Sequence, residues 1–220
     1  MHTLSAKTIA ANCLGKNPIL SVREDIMGVY ANDNPQARSL KKQLNLILDR
    51  PFVRVALVTL QGITPNLQRD LDTANEIYQR ECDAWIYPVD SITVNSTHLQ
   101  ILDQDDCASS GHSVSDEEDQ LFDFGRSLGA DIVCYYINTS NGGFVGCAAH
   151  PPGRRGFWVG NGASPRTFAH ELTHVVGDNS HESDSDNLMS TPTSAITNLP
   201  ADLTNSQCNR IEDDDAMESC

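Results

Sequence analysis

The run "HELTHVVG" at 170–177 places two histidines four residues apart with a glutamate beside the first. On a helix, His170 and His174 project from one face and can share a single metal ion. Glu171 then lies where its carboxylate reaches a metal-bound water rather than the metal. Zinc lowers the pKa of such a water to about 7, and a neighbouring carboxylate can take its proton as it attacks a carbonyl. Gly177 permits a left-handed exit from the helix, so a later side chain can return as a third ligand. Three residues after that glycine, where the extended form of the motif carries its third histidine, stands Ser180. The histidine arrives one residue late, as His181, with Asp178 as the competing ligand.

These residues need a helix held against a core. Ser164 and Pro165 have the residue types of an N-cap and first helical position, and Phe168, Leu172, Val175 and Val176 supply apolar contacts. Upstream, "FVRVALVTL" (52–60) reads as a buried strand. A helix follows with Thr64 as N-cap, Pro65 at its first position, and Leu67, Leu71, Ala74 and Tyr78 on one stripe. "AWIYPVDSITV" (84–94) reads as a strand whose Pro88 implies an edge, a bulge or a break. "LQILD" (99–103) is a third candidate strand. Ser115 and Glu118 form a capping box for a helix carrying Leu121, Phe122 and Leu128. "DIVCYYI" (131–137) reads as a central strand, 138–156 as a long glycine-rich loop, and "GFWVG" (156–160) as a short strand. The order predicts an α+β fold: a mixed sheet with helices behind it.

"HELTHVVG" followed by "HESDSDNLM" (181–189) resembles the metzincin zinc peptidases, which carry H-E-x-x-H-x-x-G-x-x-H and a downstream methionine turn. In several such families the third histidine is followed by Asp at three residues and by the turn methionine at eight. From His181 those offsets give Asp184 and Met189; from Ser180 they give neither. The resemblance therefore implies His170, His174 and His181 as zinc ligands, Glu171 as general base, and Gly177, Asp184 and Met189 as supports. It implies a mostly parallel twisted sheet with two backing helices, and a small C-terminal subdomain closed by a helix near "LTNSQCNRI" (203–211). It also implies a cleft whose upper edge is the strand before the active helix, Gly156, Phe157, Trp158, Val159 and Gly160, although Phe157 and Trp158 also suit a core. An extended peptide would add to that edge through main-chain hydrogen bonds. "STPTSAITNLP" (190–200) would wall the primary pocket, and its lack of charge favours a small or apolar residue after the cleaved bond. Thr191 stands two residues after the methionine, where some families carry a tyrosine, so that role is absent or filled differently.

A chain of 220 residues supports one domain with a sizeable core. The net charge of −15 argues against nucleic acid and anionic membranes as partners and leaves a protein or peptide substrate, bound by an expected monomer. Residues 1–50 carry +3 and the rest −18, which divides the chain into a leader or small subdomain (1–50) and a catalytic body (51–220). Seven cysteines without a C-x-x-C pair indicate disulfides and a secreted protein, and their odd number leaves one over. Metzincin propeptides can block zinc with a thiolate, which makes Cys13 a possible latency ligand and the chain a possible zymogen. Calcium is possible at 103–106 or 115–119, where a solvated acidic loop is the simpler reading. His2, His98, His112 and His150 show no ligand spacing, and only His150, in "AAHPPG" (148–153), falls near the expected cleft. Two alternatives remain: a zinc-binding protein that has lost turnover, and a gluzincin-type peptidase taking Glu212 or Glu218 as ligand.

Overall fold

The computed structural model describes residues 50–103, 107 and 114–218. The leader, with Cys13, lies outside the described residues, as do residues 104–106 of the first acidic loop. Five strands form the main sheet: β1 (Phe52–Leu60), β2 (Trp85–Val94), β4 (Ile132–Ile137), β6 (Gly146–Cys147) and β7 (Gly156–Gly160). They run in the order β2-β1-β4-β7-β6, parallel except for β6. β3 (Ile101–Leu102) and β5 (Thr139–Ser140) pair separately as a small parallel sheet.

The apolar run of β1 follows from cover on both faces. Its alternate side chains enter two cores. Val53, Val55 and Leu57 meet α1 (Leu67–Cys82), α3 (Thr167–Val175) and α4 (Asn205–Glu212), while Ala56, Val58 and Leu60 meet α2 (Asp116–Asp123) and Trp158. Cys82–Cys208 ties α1 to α4, and Cys107–Cys147 ties β6 to the segment before α2. Cys134, buried in β4, is free. Among the described cysteines it is the one without a disulfide.

Several boundaries differ from the sequence reading. α1 is capped by Asn66, whose side chain accepts the Arg69 N–H, so Thr64 and Pro65 precede the helix. β2 is an edge strand, and its register slips after Pro88, which leaves Val89 as the bulged residue. α2 has the expected capping box but ends at Asp123, before Leu128. The Tyr135 hydroxyl donates to the Phe122 carbonyl at that end. α3 begins at Thr167, two residues past the expected start, and Ser164 still holds the preceding turn by accepting the Arg166 N–H. The stretch 138–156, read as loop, contains β5 and β6.

Candidate metal centre

α3 is buried along almost its whole length, with Phe168, Ala169 and Leu172 in the core and His170 and His174 turned to a cleft of about 860 Å³. The chain leaves the helix through Gly177 (φ 81°) and Asp178 (φ 46°), both left-handed. Gly177 is required twice over. A Cβ there would also come within 2.6 to 2.8 Å of the Arg210 and Ile211 backbone. This turn absorbs the extra residue of the motif, and His181 returns to the cleft beside the other two. Its Nε2 lies 3.1 Å from that of His174 and 3.2 Å from that of His170, and the remaining pair is 3.2 Å apart. Among the described residues, these histidines are the one group of three or more side chains able to hold a metal ion.

The hydrogen bonds behind the rings fix two tautomers. His170 Nδ1 faces the Leu188 carbonyl at 2.7 Å, and His174 Nδ1 faces the Asn179 carbonyl. A carbonyl only accepts, so each Nδ1 carries the proton and each Nε2 presents a bare lone pair. Two bare nitrogens 3.2 Å apart cannot bond to each other, and a shared cation resolves the repulsion. The separations are close to the roughly 3.3 Å between nitrogens of a tetrahedral zinc site with bonds of about 2.0–2.1 Å. Burial, then the neighbouring His174, holds His170 down to about 3, and burial holds His174 at about 4. Burial lowers His181 as well. All three imidazoles are therefore neutral at physiological pH.

Glu171 is buried in the cleft wall, and burial pushes its pKa up to about 8. Met189 is wholly buried, one residue after the Leu188 carbonyl that faces His170. Its N–H donates to Asn187 Oδ1, its carbonyl accepts from the Glu182 N–H, and Gln207 of α4 holds the Asn187 side chain. Asp184 does not bond His181. Its carboxylate accepts the Asp186 N–H and its carbonyl accepts the Asn187 N–H, so it shapes the turn that leads to Met189.

The strand Gly156–Gly160 is not the cleft edge. It is buried throughout, with β4 on one side and β6 on the other, and Trp158 and Phe157 are core residues. The outermost strand on that side is β6, whose two residues are buried, with Val145 exposed beside it. Composition hid this strand, because glycines and a short length suppress the periodic signal. The gluzincin alternative fails too: Glu218 pairs with Arg54, and Glu212 is exposed at the end of α4. In the second acidic loop, Glu118 accepts from Trp158 and Asp119 pairs with Arg154. His98 bonds Ser96 and Gln120, whereas His150 does line the cleft.

No family model matches the sequence, and no curated protein does. Solved structures share the fold. Metalloproteinase-II from Bacteroides fragilis superposes with a TM-score of 0.51 at 14% identity, over 73% of this chain and 52% of that one. A chaperone–substrate complex gives 0.51 at 13%, over 74% of this chain and 33% of the other. Archaemetzincin from Methanopyrus kandleri gives 0.45 at 16%, over 73% and 94%. The chain thus spans about half and a third of the first two. For the first two, at such identities, the likeness is one of fold.

Proposed function

We propose that this protein is a secreted, zinc-dependent endopeptidase. The observation that carries the reading is the convergence of three bare or neutral imidazole nitrogens beside a buried glutamate on an open cleft. A zinc ion held by His170, His174 and His181 would supply a Lewis acid that polarises the scissile carbonyl and acidifies a water. Glu171 takes the proton from the attacking water and delivers it to the leaving amine. Its raised pKa suits the second step, and a divalent cation nearby favours the carboxylate needed for the first.

The outermost place of β6 in the sheet supports an extended substrate, whose main chain would pair with Gly146–Cys147. Thr191, Pro192, Thr193 and Ser194 also line the cleft without charge, which favours a small or apolar residue after the cleaved bond. The two disulfides support secretion.

The test is metal analysis of the purified full chain, with cleavage of casein and of a quenched peptide library before and after chelation. One bound zinc, cleavage abolished by chelator and restored by zinc is expected. Zinc-loaded protein that cleaves no faster than its Glu171→Gln variant overturns the peptidase reading.

A further inference from the structure

The extra residue between Gly177 and His181 requires two successive left-handed residues, one of them an aspartate. The turn holds itself only in part: Asn179 is buried and its Nδ2 donates to the Thr173 and Val176 carbonyls at 3.4 Å, while the side chains of Asp178 and Ser180 are exposed. Its inner side is fastened by Asp214, beyond α4. Asp214 Oδ2 accepts the Gly177 N–H at 2.8 Å, and Oδ1 accepts the Ala216 N–H at 2.8 Å. Arg155, on the approach to β7, closes the arrangement. Its Nη2 lies 2.7 Å from Asp214 Oδ1 and 2.8 Å from Oδ2, and it donates to the Val175 carbonyl, the last of α3, at 2.6 Å.

One ion pair thus grips both sides of the helix exit, at Val175 and at Gly177. Two residues further on, the Asn179 carbonyl orients His174, and two beyond that His181 enters the site. Burial works against ionisation of Asp214, yet Arg155 and the Ala216 and Gly177 N–H groups hold its pKa below the usual carboxylate range. It remains anionic at neutral pH.

We infer that Asp214 and Arg155 are positioning residues for the metal centre, a latch that sets where the displaced third ligand meets the other two. The inference rests on the reading of the three histidines as a zinc site. Groups hydrogen-bonded to metal ligands themselves change affinity by about 10–100-fold, and a latch that acts through the backbone beside them falls at the lower end of that range.

The experiment measures zinc affinity of the full chain by competition with a chromophoric chelator, and the visible spectrum of the cobalt-substituted protein. Asp214→Ala is expected to weaken zinc binding by about 10-fold and to alter the cobalt spectrum. Asp214→Asn, which keeps an acceptor for the Gly177 N–H, should lie between it and wild type. Ser180→Ala, an exposed position of the same turn outside the left-handed pair, should leave both readouts unchanged. Should Asp214→Ala not fold, Arg155→Gln, which leaves Asp214 bonded to Gly177 and Ala216, is expected to show the smaller loss. Wild-type affinity and an unchanged spectrum in the folded variants would overturn the latch, whatever happens to the thermal midpoint. A wild-type chain that binds no zinc would instead overturn the metal site beneath it.

Discussion

Gly146 of the edge strand packs directly on Glu171. A Cβ at that position would stand 2.5 Å from Oε1 of the glutamate and 2.7 Å from Cγ2 of Thr167. The backbone that would pair with a substrate is therefore in van der Waals contact with the base that would serve it. Since φ at Gly146 is ordinary, the glycine is there for the space it leaves.

Gly146→Ala is consequently expected to move the base or the strand. A shift of about 1 Å at such a site can cost on the order of 100-fold in rate. Turnover should fall by about that much while zinc content stays at the wild-type level, since no ligand is touched. Steady-state kinetics with metal analysis on the same sample decides it; an alanine variant with unimpaired kcat/KM would show that the contact yields freely.

Glu171→Gln separates proton transfer from metal binding. The variant should hold zinc as wild type does and lose turnover by about 10²–10⁴-fold, the usual contribution of a positioned acid or base. It also exchanges a buried ionisable group for a neutral one of similar shape. The metal-free variant should therefore unfold no more readily than metal-free wild type at pH above about 8, where the native glutamate is charged at a cost. Loss of zinc along with activity would make Glu171 a ligand or a structural support instead.

The late histidine gives a sharper contrast. His181→Ala removes one of three nitrogens and should abolish stoichiometric zinc at micromolar protein, whereas Ser180→Ala, an exposed neighbour, should retain it. Equal zinc content in the two would mean that His170 and His174 bind with a different third group.

The parts of the site carried by side chains at fixed offsets were legible in the sequence. His170, Glu171 and His174 follow from spacing, because a helix converts spacing into direction, and the offsets of the resemblance pointed to His181, which the structure brings beside them. The parts carried by backbone were not. The Leu188 and Asn179 carbonyls that orient the rings leave no mark on composition. β6 was invisible for a related reason: two residues, one a glycine, cannot show alternation, and only pairing with Trp158 and Val159 makes them a strand. That omission misplaced the cleft edge on β7, whose own sequence is equally suited to a buried position. Asp214 and Arg155 lie 59 residues apart, and no local pattern joins them. In the fold, β1 and β4 were clear because both are apolar throughout, while the start of α1 was misread by two residues when Asn66 outcompeted Thr64 as the cap.

Glu118 offers a test of the core behind β7. Its side chain is fully buried; Oε1 accepts the Trp158 indole N–H at 2.8 Å and Oε2 accepts the Ser115 N–H at 3.2 Å. Burial raises its pKa above the ordinary 4.5, and the two donors offset that only in part. A carboxyl whose folded pKa is raised contributes stability below its unfolded pKa, where it is neutral in both states, and loses that contribution as pH rises through the folded value. Glu118→Gln is neutral at every pH but has one acceptor oxygen for two donors, a fixed cost of about 1–3 kcal/mol. The advantage of wild type over the variant should therefore shrink between pH 4.5 and pH 8. Groups elsewhere in the protein cancel in this difference, since both chains share them. Urea unfolding of the two proteins across that range measures it, and an advantage that widens with pH would mean the buried carboxylate, held by Trp158 and Ser115, is favoured in its charged form.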